Sequence, residues 1–238
     1  MQDETDRRDR KLLIGGGIAI VLLAGVAGWL GARMAMDGAV RSALLENPEI
    51  IPQAMQNLQE REASSALADV RGDVERAFPG AVLGNPQGTV TLVEFTDFAC
   101  GYCRRAVEDV EALIAANPEL KVVVRELPIL SPQSADAARM GLAAAAQGRY
   151  PAFHRAMFAA GQPSPEAIEA AARAAGLDMA AARTFAQSDE VERELTRNVE
   201  LARTLGFSGT PSWVVGDRVI GGAVGEEALA EAIAEAQS

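Results

Sequence analysis

Cys100 and Cys103 are the only cysteines in a chain of 238 residues, and they stand three apart in Cys100-Gly101-Tyr102-Cys103. Two thiols at this spacing can hold a metal, form a static crosslink, or exchange disulfides. A structural zinc site takes four ligands, and the one histidine is His154, so the pair cannot complete a site unless subunits share it. A disulfide framework uses more cysteines, set further apart. Exchange suits the pair best: one thiolate attacks, the other resolves the mixed disulfide. That chemistry needs no organic cofactor and no metal.

The elements around the pair decide which thiol does what. Val90, Leu92, Val93 and Phe95 read as a short buried strand before the cysteines. Ala106, Val107, Val110, Leu113 and Ile114 then mark one face of a helix from Cys103 to about Ala116, stopped at Asn117-Pro118. Leu120 to Arg125 read as a second buried strand, so the unit is βαβ with a parallel pair. Cys100 therefore falls where a strand ends and a helix begins, and unpaired N–H groups and the helix dipole favour a thiolate there. The expectation is an exposed, attacking Cys100 and a shielded, resolving Cys103.

Beyond this unit, residues 131–206 are punctuated as helices: Ser164-Pro165 opens one, Gly176 closes it, Asp178 caps the next and Gly206 ends the last. Trp213 to Val215 and Arg218 to Ile220 make two short strands around Gly216-Asp217, and a closing helix runs from about Glu226 to Ala234. The pattern is an α/β domain with an all-helical insertion.

Glu94-Phe95-Thr96-Asp97-Phe98-Ala99-Cys100-Gly101-Tyr102-Cys103-Arg104-Arg105, led in by Leu83-Gly84-Asn85-Pro86, resembles the DsbA-like branch of the thioredoxin superfamily. Gly209-Thr210-Pro211-Ser212-Trp213-Val214-Val215-Gly216-Asp217 resembles that branch's second landmark, and Phe153 to Phe158 resembles part of its helical insertion. The likeness runs from about Val82 to the C-terminus. It implies a thioredoxin fold with Cys100 as nucleophile and Cys103 as resolving thiol. It further implies a cis Pro211 facing the cysteines and, with the backbone of Thr210, binding an extended substrate. Glu94 matches a buried acid that takes the proton of Cys103; the alternative is an ordinary strand carboxylate near Arg125. Oxidising members carry a His between their cysteines, where Tyr102 stands here. Gly-Tyr with Thr before the proline is instead similar to periplasmic disulfide isomerases, which implies a reductase or isomerase, with an oxidase of the same fold as the alternative. Val40 to Ile50 resembles the N-terminal oligomerising region of ScsC-like members, and Pro52 departs from a smooth helix there.

The N-terminal third supplies the setting. Arg7, Arg8, Arg10 and Lys11 precede an uncharged run from Leu12 to Ala32, about 30 Å long as a helix, enough for a bilayer core. The basic flank predicts a cytoplasmic tail at 1–11, an inner-membrane anchor at 12–32 and an exported remainder. A signal segment cleaved on the way to the periplasm is the other reading. Residues 33–79 read as a polar helical stalk, its main helix starting at Pro52 and ending at Pro79-Gly80; its narrow apolar stripe either self-associates or packs on its own domain. Residues 80–238 form the catalytic domain. The expected partners are exported proteins with thiols or disulfides, a membrane redox partner that recycles the pair, and copies of the chain itself. A net charge of −11 argues against nucleic acid. The rival class is an envelope binding or chaperone module of the same fold without catalysis. His154 reads as a packed or half-exposed helix residue ahead of a ligand, Trp213 as core ahead of a substrate platform, and Arg104 and Arg105 as solvated ahead of aiding the thiolate.

Overall fold

The computed structural model of the protein describes Trp29 and residues 41–237. The expected tail and, save Trp29, the expected anchor lie outside the described residues, among which no helix is long and apolar enough to cross a membrane. The chain divides into two units, 1–58 and 59–238.

In the first unit residues 41–46 are helical. Asn47 ends that turn, its backbone N–H and its side-chain amide both donating to the Ala43 carbonyl at 3.0 Å. The next helix, α1 (Ile50–Val74), starts two residues before Pro52. Pro52 is thus its third residue, in the first turn, where no N–H has a partner inside the helix and a proline costs little. Leu45, Ile50, Ile51, Met55 and Leu58 are all exposed.

The second unit holds the rest of α1 and a five-stranded sheet. Its elements are β1 (Val82–Gly84), β2 (Val90–Thr96), α2 (Gly101–Ala116), β3 (Leu120–Glu126), five helices, β4 (Ser212–Val215), β5 (Arg218–Gly221) and α8 (Gly225–Ala236). The five are α3 (Pro132–Ala146), α4 (Tyr150–Ala160), α5 (Pro165–Ala174), α6 (Met179–Ala186) and α7 (Asp189–Thr204). The strand order is β1-β3-β2-β4-β5, with β2 and β3 parallel as expected and the other pairs antiparallel. Strand β1 was not expected; three residues are too few to show a period.

Both sheet faces are covered, which is why β2 and β3 are apolar without alternation. Leu92, Val122 and Val124 face Ala106, Val110 and Leu113 of α2 and Leu229 and Ile233 of α8. Val93, Phe95 and Val123 face Leu67 and Val74 of α1 and Leu201 of α7. Helix α1 stops at Val74, earlier than Pro79-Gly80 suggested, because a buried guanidinium from β3 takes its last carbonyls. Arg125 donates to the carbonyls of Val74 (2.9 Å), Arg76 (2.6 Å) and Asp73, and to Asn198 (2.6 Å) and Glu194 (3.1 Å) of α7. Its side chain therefore leaves β3 on the α1 face, away from α2.

The insertion follows its caps. Ser131, Ser164, Asp178 and Ser188 each accept a backbone N–H at the start of α3, α5, α6 and α7. Gly176 follows α5 with φ of +75°, a conformation that glycine adopts without strain.

Candidate active site

Sheet order brings the site together. Phe95 pairs with Ser212 and Glu94 with Trp213, so the end of β2 that leads to the cysteines lies beside the start of β4, just after Pro211. Cys100 and Cys103 are free thiols. Cys100 is the N-cap of α2, with extended backbone, and its Sγ accepts the Cys103 N–H at 3.3 Å. On its other side the Cys100 thiol donates to the Thr210 carbonyl at 3.2 Å. The Thr210–Pro211 bond is cis. Gly222 N–H donates to the Pro211 carbonyl and the Trp213 indole N–H to the Gly222 carbonyl, both at 2.9 Å, which hold the proline loop against β5.

Cys100 is not exposed as expected: it is 4% accessible. The cause is the Thr210 loop, 110 residues away in sequence, lying over its sulfur. Cys103 is wholly buried, one turn into the helix, as expected. Burial first, and the nearby Glu94 carboxylate second, push the Cys103 thiol far above its ordinary value. Glu94 is 2% accessible on the α2 face of the sheet, and burial raises its carboxyl from 4.5 to about 7. The possible pairing with Arg125 is not made, because that side chain projects from the opposite face. A carboxyl half ionised near neutrality beside a thiol that will not ionise alone has the character of a proton acceptor.

Sequence reasoning missed Asp97. Its carboxyl oxygens accept the N–H of Ala99 (2.8 Å), Ile129 (2.9 Å) and Leu130 (3.0 Å), and the Asp97 carbonyl accepts Cys100 N–H (2.9 Å). One side chain thus ties the turn before Cys100 to the loop after β3, where Ile129 and Leu130 stand exposed beside the site. The available signal was a lone acid inside the run Phe95-Thr96-Asp97-Phe98. Asp97→Ala removes the charged acceptor of three partly buried N–H groups and is expected to cost about 2–3 kcal/mol in urea unfolding. The same variant should slow thiol exchange severalfold, read in an insulin-reduction assay.

The remaining expectations divide. His154 is packed, 3% accessible between the rings of Phe98, Tyr150 and Phe158, and burial lowers it to about 3. Trp213 is core. Arg104 is half-buried, its Nε and one Nη shut away without a partner, so it is less solvated than expected, and Arg105 lies 4.4 Å over the exposed Tyr102 ring. Among the described residues, no cluster of three His, Cys, Asp or Glu side chains could hold a metal ion.

Residues 91–234 match the DSBA-like thioredoxin domain, and residues 33–64 match the N-terminal domain of the copper resistance protein ScsC. A thioredoxin-like oxidoreductase from Silicibacter pomeroyi is 43% identical over 66% of this chain and 91% of that one, with a TM-score of 0.63. The catalytic domain of Proteus mirabilis ScsC is 26% identical, over 73% of this chain and 97% of that one, with a TM-score of 0.65. Among curated proteins, the Na(+)/H(+) antiporter NhaA 3 of Salinispora tropica is 30% identical over 158 residues, 65% of this chain but 24% of that protein. The chain thus spans about a quarter of the length of that curated relative.

Proposed function

The chain belongs to the DSBA-like thioredoxin-domain family, and from that membership we propose that it reduces or isomerises disulfides in exported proteins. Cys100 attacks the substrate disulfide and carries it as a mixed disulfide; Cys103 displaces the product while Glu94 takes its proton. An extended substrate segment lies beside Pro211 and the backbone of Thr210. The observation that carries this reading is the position of the Cys100 sulfur, between the N–H of Cys103 and the carbonyl of Thr210. A donor there stabilises a thiolate, and the covering loop is where a bound chain would meet it.

The direction rests on Tyr102 in place of a thiolate-stabilising His, and on the exposed apolar side chains beside the pair. Tyr102, Ile129 and Leu130 suit contact with unfolded chains. The wider layout completes the proposal: a tail at 1–11, an anchor or signal at 12–32, a stalk at 33–79 that joins copies of the chain through its exposed part before Leu67, and a catalytic domain at 80–238 in the periplasm. The ScsC-type match and the exposed Leu45, Ile50, Ile51, Met55 and Leu58 support the stalk. A membrane protein would return electrons to the pair.

A mis-paired disulfide substrate tests the direction. The purified protein, supplied reduced, is expected to restore native pairing faster than its Cys103→Ala form. Equal rates from the two, or faster oxidation of reduced substrate than rearrangement, would count against an isomerase.

A further inference from the structure

Two carboxyls, not one, are buried beneath the active-site helix. Side chains two apart on a strand share a face, and β2 and β3 pair Glu94 with Val124 and Thr96 with Glu126. Glu94, Thr96 and Glu126 therefore form a polar row on the face that Leu92, Val122 and Val124 otherwise keep apolar. Glu126 is fully buried, and so is Tyr150 at the start of α4, whose hydroxyl donates to Glu126 Oε1 at 2.6 Å. Among the described residues, neither Glu94 nor Glu126 has an ion-pair partner.

The groups that face Glu126 are few. They are Glu94 and Asp97 from β2 and the turn after it, Tyr150 and, behind it, His154 from α4, and the Asn198 amide of α7, which donates to the Glu126 carbonyl at 3.1 Å. Helix α3 contributes Gly141, where even a Cβ would stand 3.0 Å from Glu126 Oε1. With no cation in reach, burial keeps Glu126 protonated well above the ordinary range. Since Oε1 receives the tyrosine proton, the acid's own proton belongs on Oε2. That atom and Thr96 Oγ1, on directly paired residues, are both buried and, among the described residues, both without a hydrogen-bond partner. Thr96 in turn lies close enough to Glu94 to counter part of the effect of burial on it.

We propose that Tyr150, Glu126 and Thr96 form a row of O–H dipoles directed one way along the sheet, ending on Glu94, that favours its ionised form. The inference rests on the oxidoreductase reading, since what the row controls is the readiness of Glu94 to take the Cys103 proton. Glu126 acts through Glu94 and touches no reacting atom; it is a positioning residue. A neutral acid held in an apolar site is a good hydrogen-bond donor, and aligned donors reinforce one another. In the reaction the Cys103 sulfur bonds to the Cys100 sulfur as the substrate thiolate leaves. The Cys103 proton goes to Glu94, and the leaving thiolate draws one from solvent.

The test follows both steps against pH in the full-length protein, with a chromogenic aromatic disulfide as substrate. Attack by Cys100 releases one aromatic thiol, and resolution by Cys103 releases the second. Glu126→Leu and Tyr150→Phe are each expected to leave the first step within about twofold. They should slow the second about fivefold at pH 7, by moving its midpoint up by about one pH unit. Glu126→Gln keeps a donor and an acceptor at the same place and should stay close to the unsubstituted protein. A midpoint that stays put while both steps fall together would overturn the inference, leaving the row a purely structural feature. A midpoint that moves down would overturn it too, since it would make Glu126 an ionised neighbour that repels charge on Glu94. If the unsubstituted protein gave no first step at all, the oxidoreductase reading itself would fail.

Discussion

Cys100→Ser brings insulin reduction down to the rate of the dithiothreitol control, with the fold intact. Serine keeps the size of the side chain, and as an N-cap residue it is preferred over most others, so α2 should start at least as firmly as before. What disappears is the nucleophile: a hydroxyl in that place does not ionise near neutral pH or attack sulfur. Cys103 cannot stand in for it. The thiol is inaccessible, and burial holds it protonated. Thermal unfolding run alongside separates the two effects, because loss of activity with an unchanged or higher midpoint can only be chemical. Substantial insulin reduction by a folded Cys100→Ser protein would mean that the pair is not the reaction centre.

Glu94→Gln makes the protein more stable and less active at the same time. In the folded chain the Glu94 carboxyl holds its proton up to about 7, against 4.5 for the free group. Folding therefore gains most from this group below about pH 4.5, where both states are protonated, and loses that gain as pH rises towards 7. Above pH 7 the cost of burying the charge approaches about 3 kcal/mol, at about 1.4 kcal/mol per tenfold change in proton affinity. Glutamine removes that part of the slope, so urea midpoints of the two proteins should agree at pH 4 and separate by pH 8. Resolution of the mixed disulfide should fall about a hundredfold at pH 7, the usual scale for loss of a positioned base. Equal stability at pH 8 would show that Glu94 is not buried ionised, and an unchanged resolving rate would remove it from the mechanism.

The parts of the molecule legible in the sequence were those decided locally. Strand β2, helix α2 and strand β3 followed from apolar spacing and from Asn117-Pro118. Asp178 and Gly176 punctuate the insertion where their side chain and backbone freedom place them. Strand β1 was not legible, since Val82–Gly84 is held by pairing with β3 and not by any pattern of its own. The stop of α1 at Val74 depends on Arg125, more than fifty residues on, and a helix read alone runs further.

The site divides in the same way. Cys100 and Cys103 stand out by type and spacing, Thr210 and Pro211 through the family resemblance, and they meet because β2 and β4 are neighbours. The burial of Cys100 and the three bonds of Asp97 are tertiary facts with no local trace. Glu126 escaped notice because its strand was read as ending one residue earlier, and a carboxyl at a strand end usually faces water.

Everything in the proposed reaction depends on which sulfur the substrate meets. Full-length Cys103→Ala protein, incubated with a disulfide-bonded peptide and then digested, should yield that peptide covalently joined at residue 100 and stable until dithiothreitol is added. The matching Cys100→Ala protein should yield none. Peptide recovered on Cys103 of the Cys100→Ala protein in comparable amount would reverse the two roles and rule out Cys100 as the attacking thiol.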